Sequence, residues 1–285
     1  MTVRATDRRL SAVSAIAAML LAASALSARA ADPSDISWLR GAVGDAAPAM
    51  RWDGLQLGAQ IGVGSMSANF GNSTGPMIAY ILRNTTVENE MSPSSWTTLP
   101  TNTTNGRTYG AFIGYNLQWD ALVVGFDLAY NRTSGFEASA SDSMGRQAKT
   151  SDGFYNNVTV TAQSSAQLID YATFRARAGY AFGQFLPYAV LGAAVGRFNY
   201  ANTAQVIASG TDVSGGGGSP YSLNQTQTDS KNNAFAAGFV TGLGVDVAVL
   251  PNVFLRAEWE YIVFAPVGGI RTLLNTGRVG FGVRF

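Results

Sequence analysis

From Asp53 to the last residue, apolar side chains recur at every second position in one stretch after another. In Leu55-Gln56-Leu57-Gly58-Ala59-Gln60-Ile61-Gly62-Val63-Gly64 the odd positions are apolar and the even ones are Gly or Gln. Successive side chains of a strand point to opposite faces, so this segment has one apolar face and one small or polar face. Residues 107–118 set Tyr109, Ile113, Tyr115 and Leu117 against Gly110, Phe112, Gly114, Asn116 and Gln118. Residues 122–132 set Leu122, Val124, Phe126, Leu128 and Tyr130 against Gly125, Asp127 and Asn131. Around 170–182, Ala172, Phe174, Ala176, Ala178 and Tyr180 oppose Thr173, Arg175, Arg177 and Gly179. Residues 187–198 are less clean, with Ala and Gly on both faces. Residues 235–249 place Gly238, Gly242, Gly244 and Asp246 together. In 253–263, Leu255, Ala257, Trp259, Tyr261 and Val263 alternate with Arg256, Glu258 and Glu260. The chain ends with Val279, Phe281, Val283 and Phe285 against Arg278, Gly280, Gly282 and Arg284. Seven of these eight strands reach the roughly 9–11 residues that a tilted membrane strand needs, and the last shows the alternation over eight.

The connections alternate as well. Very short links fall at Trp119-Asp120-Ala121, Gly183-Gln184-Phe185 and Leu250-Pro251-Asn252. Long segments rich in Asn, Thr, Ser and Gly fall at about 67–106, 134–168 and 199–233. Short turns at one end and long loops at the other are the layout of an outer-membrane barrel. The sequence therefore predicts an all-β chain, an eight-stranded antiparallel up-and-down transmembrane β-barrel over 52–285.

Alternation alone does not say which face looks outward, since a soluble barrel points its apolar face inward. Here the charged face is crowded with Gly, which suits a narrow, curved interior. Aromatic residues cluster near strand ends, with Trp119, Tyr180 and Phe254 near the short turns and Trp259 and Tyr261 among those on the other strand ends. Two such belts match the two membrane interfaces. Residues 178–196 and 234–250 are apolar enough to suggest membrane helices. A helix would scatter their polar groups around its axis, whereas period two puts Asp246 with the Gly set.

Composition narrows the function. Charged residues are 13% of the chain, about half the roughly 25% of a soluble domain. The formal net charge of +1 gives no electrostatic reason for a nucleic-acid partner. With no Cys there is no disulfide, thiolate nucleophile or zinc-thiolate site. With no His, the commonest general base and transition-metal ligand are missing, and heme would need Tyr or Met ligation. No cofactor and no metal site are expected, and the chain does not read as an enzyme.

The N-terminus carries Arg4, Arg8 and Arg9, then an apolar run from Leu10 to Leu26, then Ala28-Arg29-Ala30. That order is a secretory signal peptide, predicted over 1–30. Residues 31–51 lack a clear period and read as an extended lead-in. Their composition leaves open whether they fill the short-turn mouth or hang free.

Trp52-Asp53-Gly54-Leu55-Gln56-Leu57-Gly58, Gly114-Tyr115-Asn116, Val124-Gly125-Phe126-Asp127, Arg175-Ala176-Arg177-Ala178-Gly179-Tyr180 and the Val279–Phe285 end occur here in order. Together they resemble the alphaproteobacterial outer-membrane proteins of the opacity-type, or "porin family", small-barrel superfamily, whose transmembrane part is OmpA-like. Leu55 and Gln56 stand where that family usually has an aromatic pair. The resemblance covers about 52–285 and is weakest in the loops. It implies an eight-stranded barrel in a Gram-negative outer membrane. It implies no single activity, because members are structural, adhesive, heme-binding or weakly pore-like.

The inward face collects Asp127, Arg175, Arg177, Asp246, Arg256, Glu258, Glu260, Arg278 and Arg284. Buried charges must be paired, and five positive against four negative allows it. This reads as an interior closed by ion pairs, with a narrow passive pore for ions or small polar solutes as the alternative. Glu258 and Glu260 are close enough for paired-carboxylate chemistry, but Arg256 and Arg278 are ready partners. The terminal Phe285 resembles the signal read by outer-membrane assembly machinery. The expected partners are that machinery and outer-membrane lipid. Loop residues Tyr80, Ile81, Leu82, Trp96, Phe154, Tyr155 and Tyr221 are candidate contacts for extracellular ligands, or pack the loops on one another. The role expected is structural and surface-interacting.

Overall fold

The computed structural model describes residues 51–285. The predicted export signal and all of the lead-in except Arg51 lie outside the described residues. The strands are β1 (Gly54–Asn69), β2 (Thr101–Trp119), β3 (Leu122–Ser134), β4 (Glu137–Lys149), β5 (Phe154–Tyr180), β6 (Phe185–Asp212), β7 (Tyr221–Leu250), β8 (Val253–Phe264) and β9 (Arg271–Arg284). Neighbours pair antiparallel in the order β3-β2-β1-β9-β8-β7-β6-β5-β4, and β3 also pairs with β5. Eight strands thus close a ring, with β4 outside it. The closing seam joins β1 to β9 from Gln56↔Arg284 to Asn69↔Arg271. Closure leaves the membrane-spanning wall no free edge, as a spanning sheet requires.

The short turns fall where the sequence predicts. Asp120 (φ 49°) and Gly183 (φ 58°) supply the left-handed backbone of two of them. Outward positions of the ring carry exposed apolar residues, among them Ile61, Phe126, Phe174, Leu243 and Val279. Inward positions hold Gly where a ring needs the space. A Cβ at Gly244 would overlap the Tyr188 ring, and one at Gly282 would overlap Phe254.

The long-loop end differs from the sequence expectation. The stretches 134–168 and 199–233 are mostly strand. β5, β6 and β7 run for 27, 28 and 30 residues and stand well beyond the ring. β4 pairs with β5 from Glu137↔Gln167 to Lys149↔Tyr155. The result is a four-stranded extension, β4-β5-β6-β7, rising from one side of the barrel. Its strands were illegible because Ser, Thr, Gln and Ala alternate there with little apolar contrast.

Stretch 67–106 carries helices α1 (Gly75–Ile81) and α2 (Thr86–Met91) and a 3-10 turn (Pro93–Ser95). Pro76 opens α1, where its missing N–H costs nothing. Thr85 caps α2, its hydroxyl accepting from the Glu88 amide at 3.2 Å. This segment folds onto the extension. Met77, Ile78, Leu82, Val87 and Trp96 pack against Val158, Val160, Ala204, Val206 and Ala208. Of the two roles open to the loop residues, Leu82 and Trp96 take the packing one and are buried, whereas Tyr80 and Tyr155 are exposed.

Candidate functional site

One strand shows how the interior is layered. The inward side chains of β8 are Phe254, Arg256, Glu258, Glu260, Ile262 and Phe264, each at most 4% exposed. Apolar residues therefore stand above and below a charged middle. At the short-turn end Phe254 meets Trp52 edge-on, ring centroids 6.3 Å apart, and Phe112 at 6.2 Å. Val123, Leu186, Tyr188 and Val190 complete that layer. At the other end Phe198 meets Phe264 at 5.1 Å. Met66, Phe70, Phe136, Leu168, Tyr171 and Leu274 fill the space around them.

Between these layers lie eight of the nine predicted charges. Arg175 projects from β5 and donates from Nε to Asp127 Oδ1 at 2.7 Å and from Nη1 to Glu260 Oε2 at 2.8 Å. It also donates to Glu258. Arg278 donates to both oxygens of Glu260, at 2.9 and 2.7 Å, and to Glu258. Glu258 and Glu260 thus share two guanidinium groups. Below them, Asp246 accepts from Arg256 Nε at 2.9 Å, Arg256 Nη2 at 3.0 Å and Arg177 Nη2 at 2.7 Å. Arg256 Nη1 stands 4.0 Å from Asp127 Oδ2, which links the two groups. Four arginines face four carboxylates, so the layer is formally neutral.

Arg284 stands apart from this network. It is on the inward parity but below the layer, where its Nη2 donates to the Pro251 carbonyl at 2.7 Å. Its guanidinium lies 5.3 Å from the Trp52 ring centroid. The five-to-four balance read from the sequence becomes four to four because Arg284 lies at the mouth.

Phe254 is the second correction. Its nearness to a short turn predicts an outward interface aromatic, yet it is 2% exposed inside the barrel. Its even position belongs with Arg256 and Glu258, and the strand's own parity carries that information. Trp119 and Tyr180 face outward near the short turns. Trp259 also faces outward, its ring stacked on that of Tyr261 at 6.5 Å. Phe285 ends the chain on the outer face, and its amide donates to the Leu55 carbonyl at 2.9 Å.

Sequence reading missed the neutral members of the layer. Gln56 Oε1 accepts from Arg177 Nη1 at 3.2 Å and Arg256 Nη2 at 3.1 Å. The Tyr188 hydroxyl donates to Glu258 Oε2 at 3.0 Å. Arg177 lies 3.8 Å from the Tyr188 ring centroid, and Arg256 lies 3.9 Å from that of Phe112. Gln56 and Phe112 share a face with small and polar residues, which was the available signal. Tyr188 lies where Ala and Gly blur the parity of β6.

Among the described residues no group of His, Cys, Asp and Glu has the geometry of a metal site. The four carboxylates are already held by guanidinium groups.

No curated protein sequence matches this chain significantly. Among solved structures, the chain is similar to neisserial surface protein A, with 14% identity, 81% of this chain and 97% of that one covered, and a TM-score of 0.33. The attachment invasion locus protein Ail of Yersinia pestis, in complex with the heparin analogue sucrose octasulfate, is 12% identical, with 81% and 99% covered and a TM-score of 0.29. OprG of Pseudomonas aeruginosa is 12% identical, with 82% and 96% covered and a TM-score of 0.30. Residues 14–285 match the family profile described as outer membrane protein beta-barrel domain. The closed antiparallel ring with its apolar outer band agrees with that description, and this chain belongs to the family as an integral protein of the outer membrane.

Proposed function

We propose that this protein is a closed, non-enzymatic barrel that anchors the extension and its helical cap at the cell surface, in a structural and surface-interaction role. The observation that carries this reading is the buried charge layer held between two apolar layers. Its eight charged groups are each at most 4% exposed. An eight-stranded barrel is only wide enough for its own side chains, so a fully packed cross-section has no room for a hydrated solute. Glu258 and Glu260 are saturated by Arg175 and Arg278, which argues against acid–base chemistry there. The short turns then face the periplasm and the extension faces outward. In the same reading Phe285 is presented to the assembly machinery, and Trp119, Tyr180, Trp259 and Tyr261 anchor the wall in lipid. The exposed Tyr80 of the cap and Tyr155 on the opposite, outer face of the extension are the contacts offered to extracellular ligands.

A narrow passive pore is the second reading. It is favoured by a polar wall on β1–β3, where Gln60, Asn116 and Asn131 are buried. Both amide atoms of Asn116 lack a protein partner, which suits an ordered water.

Planar-bilayer conductance of the refolded mature protein separates the two, with folding confirmed by a heat-sensitive gel shift. The Arg256→Ala/Glu258→Ala double variant is measured in parallel. A folded, silent wild type is expected. Reproducible steps whose size or ion preference changes in the variant would overturn the closed reading.

A further inference from the structure

The extension ends in two unpaired strand edges. From Tyr221 to Lys231, β7 pairs only with β6, because its ladder with β8 begins at Gly238. At the other side β4 pairs only with β5. Near the ring the Asn102 amide donates to the Ser139 carbonyl of β4 at 2.9 Å. Above that contact, from Ser141 to Lys149, the outer edge of β4 has no strand beside it. Exposed edges are usually blunted by proline, a bulge, cover or charged side chains, and of these the two edges carry charges. Neither segment contains proline, and the register shift between β6 and β7 lies below the β7 edge, at Phe198/Tyr200.

The two edges complement each other. β4 runs away from the membrane and β7 runs toward it, so β7 of one molecule and β4 of a neighbour in the same membrane meet antiparallel. Their charges also match. Rising from the ring, β4 presents Asp142 and then Arg146, whereas β7 presents Lys231 and then Asp229. All four are on the cap-facing side. Asp142 is registered with buried Ala162, and Asp229 with buried Asn202. Arg146 is held over the Trp96 ring at 5.1 Å. Setting Lys231 opposite Asp142 brings Asp229 diagonally across from Arg146. Opposite charges in cross-strand positions favour such a register.

We propose that a second copy of this chain occupies the β7 edge through its β4 edge, joining the extensions of neighbouring barrels into one antiparallel sheet. The contact uses two different edges, so it is heterologous and builds rows or closed rings. The unpaired backbone groups of both edges supply its hydrogen bonds, and the charge order sets its register.

The chain has no cysteine, so single introduced thiols report the contact directly. In the proposed register Ser143 of one molecule faces Ser230 of the next on the outer side. Differently tagged S143C and S230C chains would be co-expressed in outer membranes and oxidised. A mixed S143C–S230C disulfide dimer is expected, with neither variant cross-linking to itself. Adding Lys231→Asp to the S230C chain should lower the yield several-fold, and Asp142→Lys in the S143C chain should restore it. Heat-shifted mobility would show that every variant is folded. The proposal is overturned by folded chains that form no mixed dimer, by homodimers in equal yield, or by a yield indifferent to the charge swap. Slow amide exchange along the β7 edge without the mixed dimer would assign that edge to a different partner and overturn it equally.

Discussion

The lower and upper halves of β5 carry their apolar residues at the same parity and turn them in opposite directions. In the ring, Phe174, Ala176 and Ala178 are even-numbered and face outward. In the extension, Val158, Val160, Ala162, Ala166 and Leu168 are also even-numbered and are buried inward. The register shift between Leu168 and Asp170 makes the difference, with Ile169 as the extra residue. A one-residue offset sends every side chain to the other face. It falls where the exposed side chains of the strand change from apolar, as at Phe174, to polar, as at Gln163 and Thr161. Asp170 is buried at this junction, paired with Arg197 and accepting from the Tyr130 hydroxyl at 3.0 Å. β6 makes the same transition without inverting, by changing its outward residues from Leu191 and Val195 to Thr203 and Gln205. Inside-out below and apolar-in above are thus two solutions to two solvents, joined by a bulge in one strand and by composition in the next.

Deleting Ile169 should have the largest effect, because one half of β5 must then present its wrong face. Each misplaced Val or Leu forfeits about 1.5–3 kcal/mol of burial. Proteolysis of the refolded variant is expected to cut the extension while a ring-sized core survives. Resistance equal to the parent's would refute the two-solvent account. Arg175→Ala comes next. It strips Asp127, Glu258 and Glu260 of a shared partner, and breaking a buried pair costs about 3–5 kcal/mol. Urea unfolding in lipid should show that loss.

The two outward faces can be compared directly. Phe174→Arg places a charge in lipid and should cost about 2–4 kcal/mol, less if the site lies toward an interface. Thr161→Arg, on the outward face of the same strand in the extension, should stay within about 0.5 kcal/mol. Equal costs would mean that the polarity boundary is misplaced. The smallest effect concerns the exposed β6–β7 connection. The hydroxyl and amide of Ser214 donate to Asp212 and hold its carboxyl below the ordinary aspartate range. The folded tip therefore favours the ionised form. That support is present above the unfolded value and is lost as pH falls through the lower, folded one. An NMR titration should place the Asp212 midpoint below about 3.9. A midpoint at or above that value would show the connection to be unstructured.

The eight ring strands, their short turns, the outward apolar face and the charges sharing the inward face are all legible in the residue order. Period two is a local property, and it can be read wherever the two faces differ in polarity, as in Leu255–Val263. It failed where they do not. In β4 and in the outer parts of β5 to β7, small and hydroxylic residues fill both faces, so strand and loop look alike. For Phe254, nearness to a turn points outward while parity with Arg256 points inward, and parity is the signal that holds. Which charge pairs with which is set by the closed ring. Asp127 and Arg175 are directly opposite on paired strands, yet Arg175 reaches Glu258 and Glu260 across the barrel, from residues more than eighty positions apart in the chain. The fold also decides that Arg284 stops at the mouth, that Trp96 is buried, and that Ile169 inverts a strand. These outcomes depend on ring closure and on shear between strands, which bring distant residues together and leave no mark on any single segment.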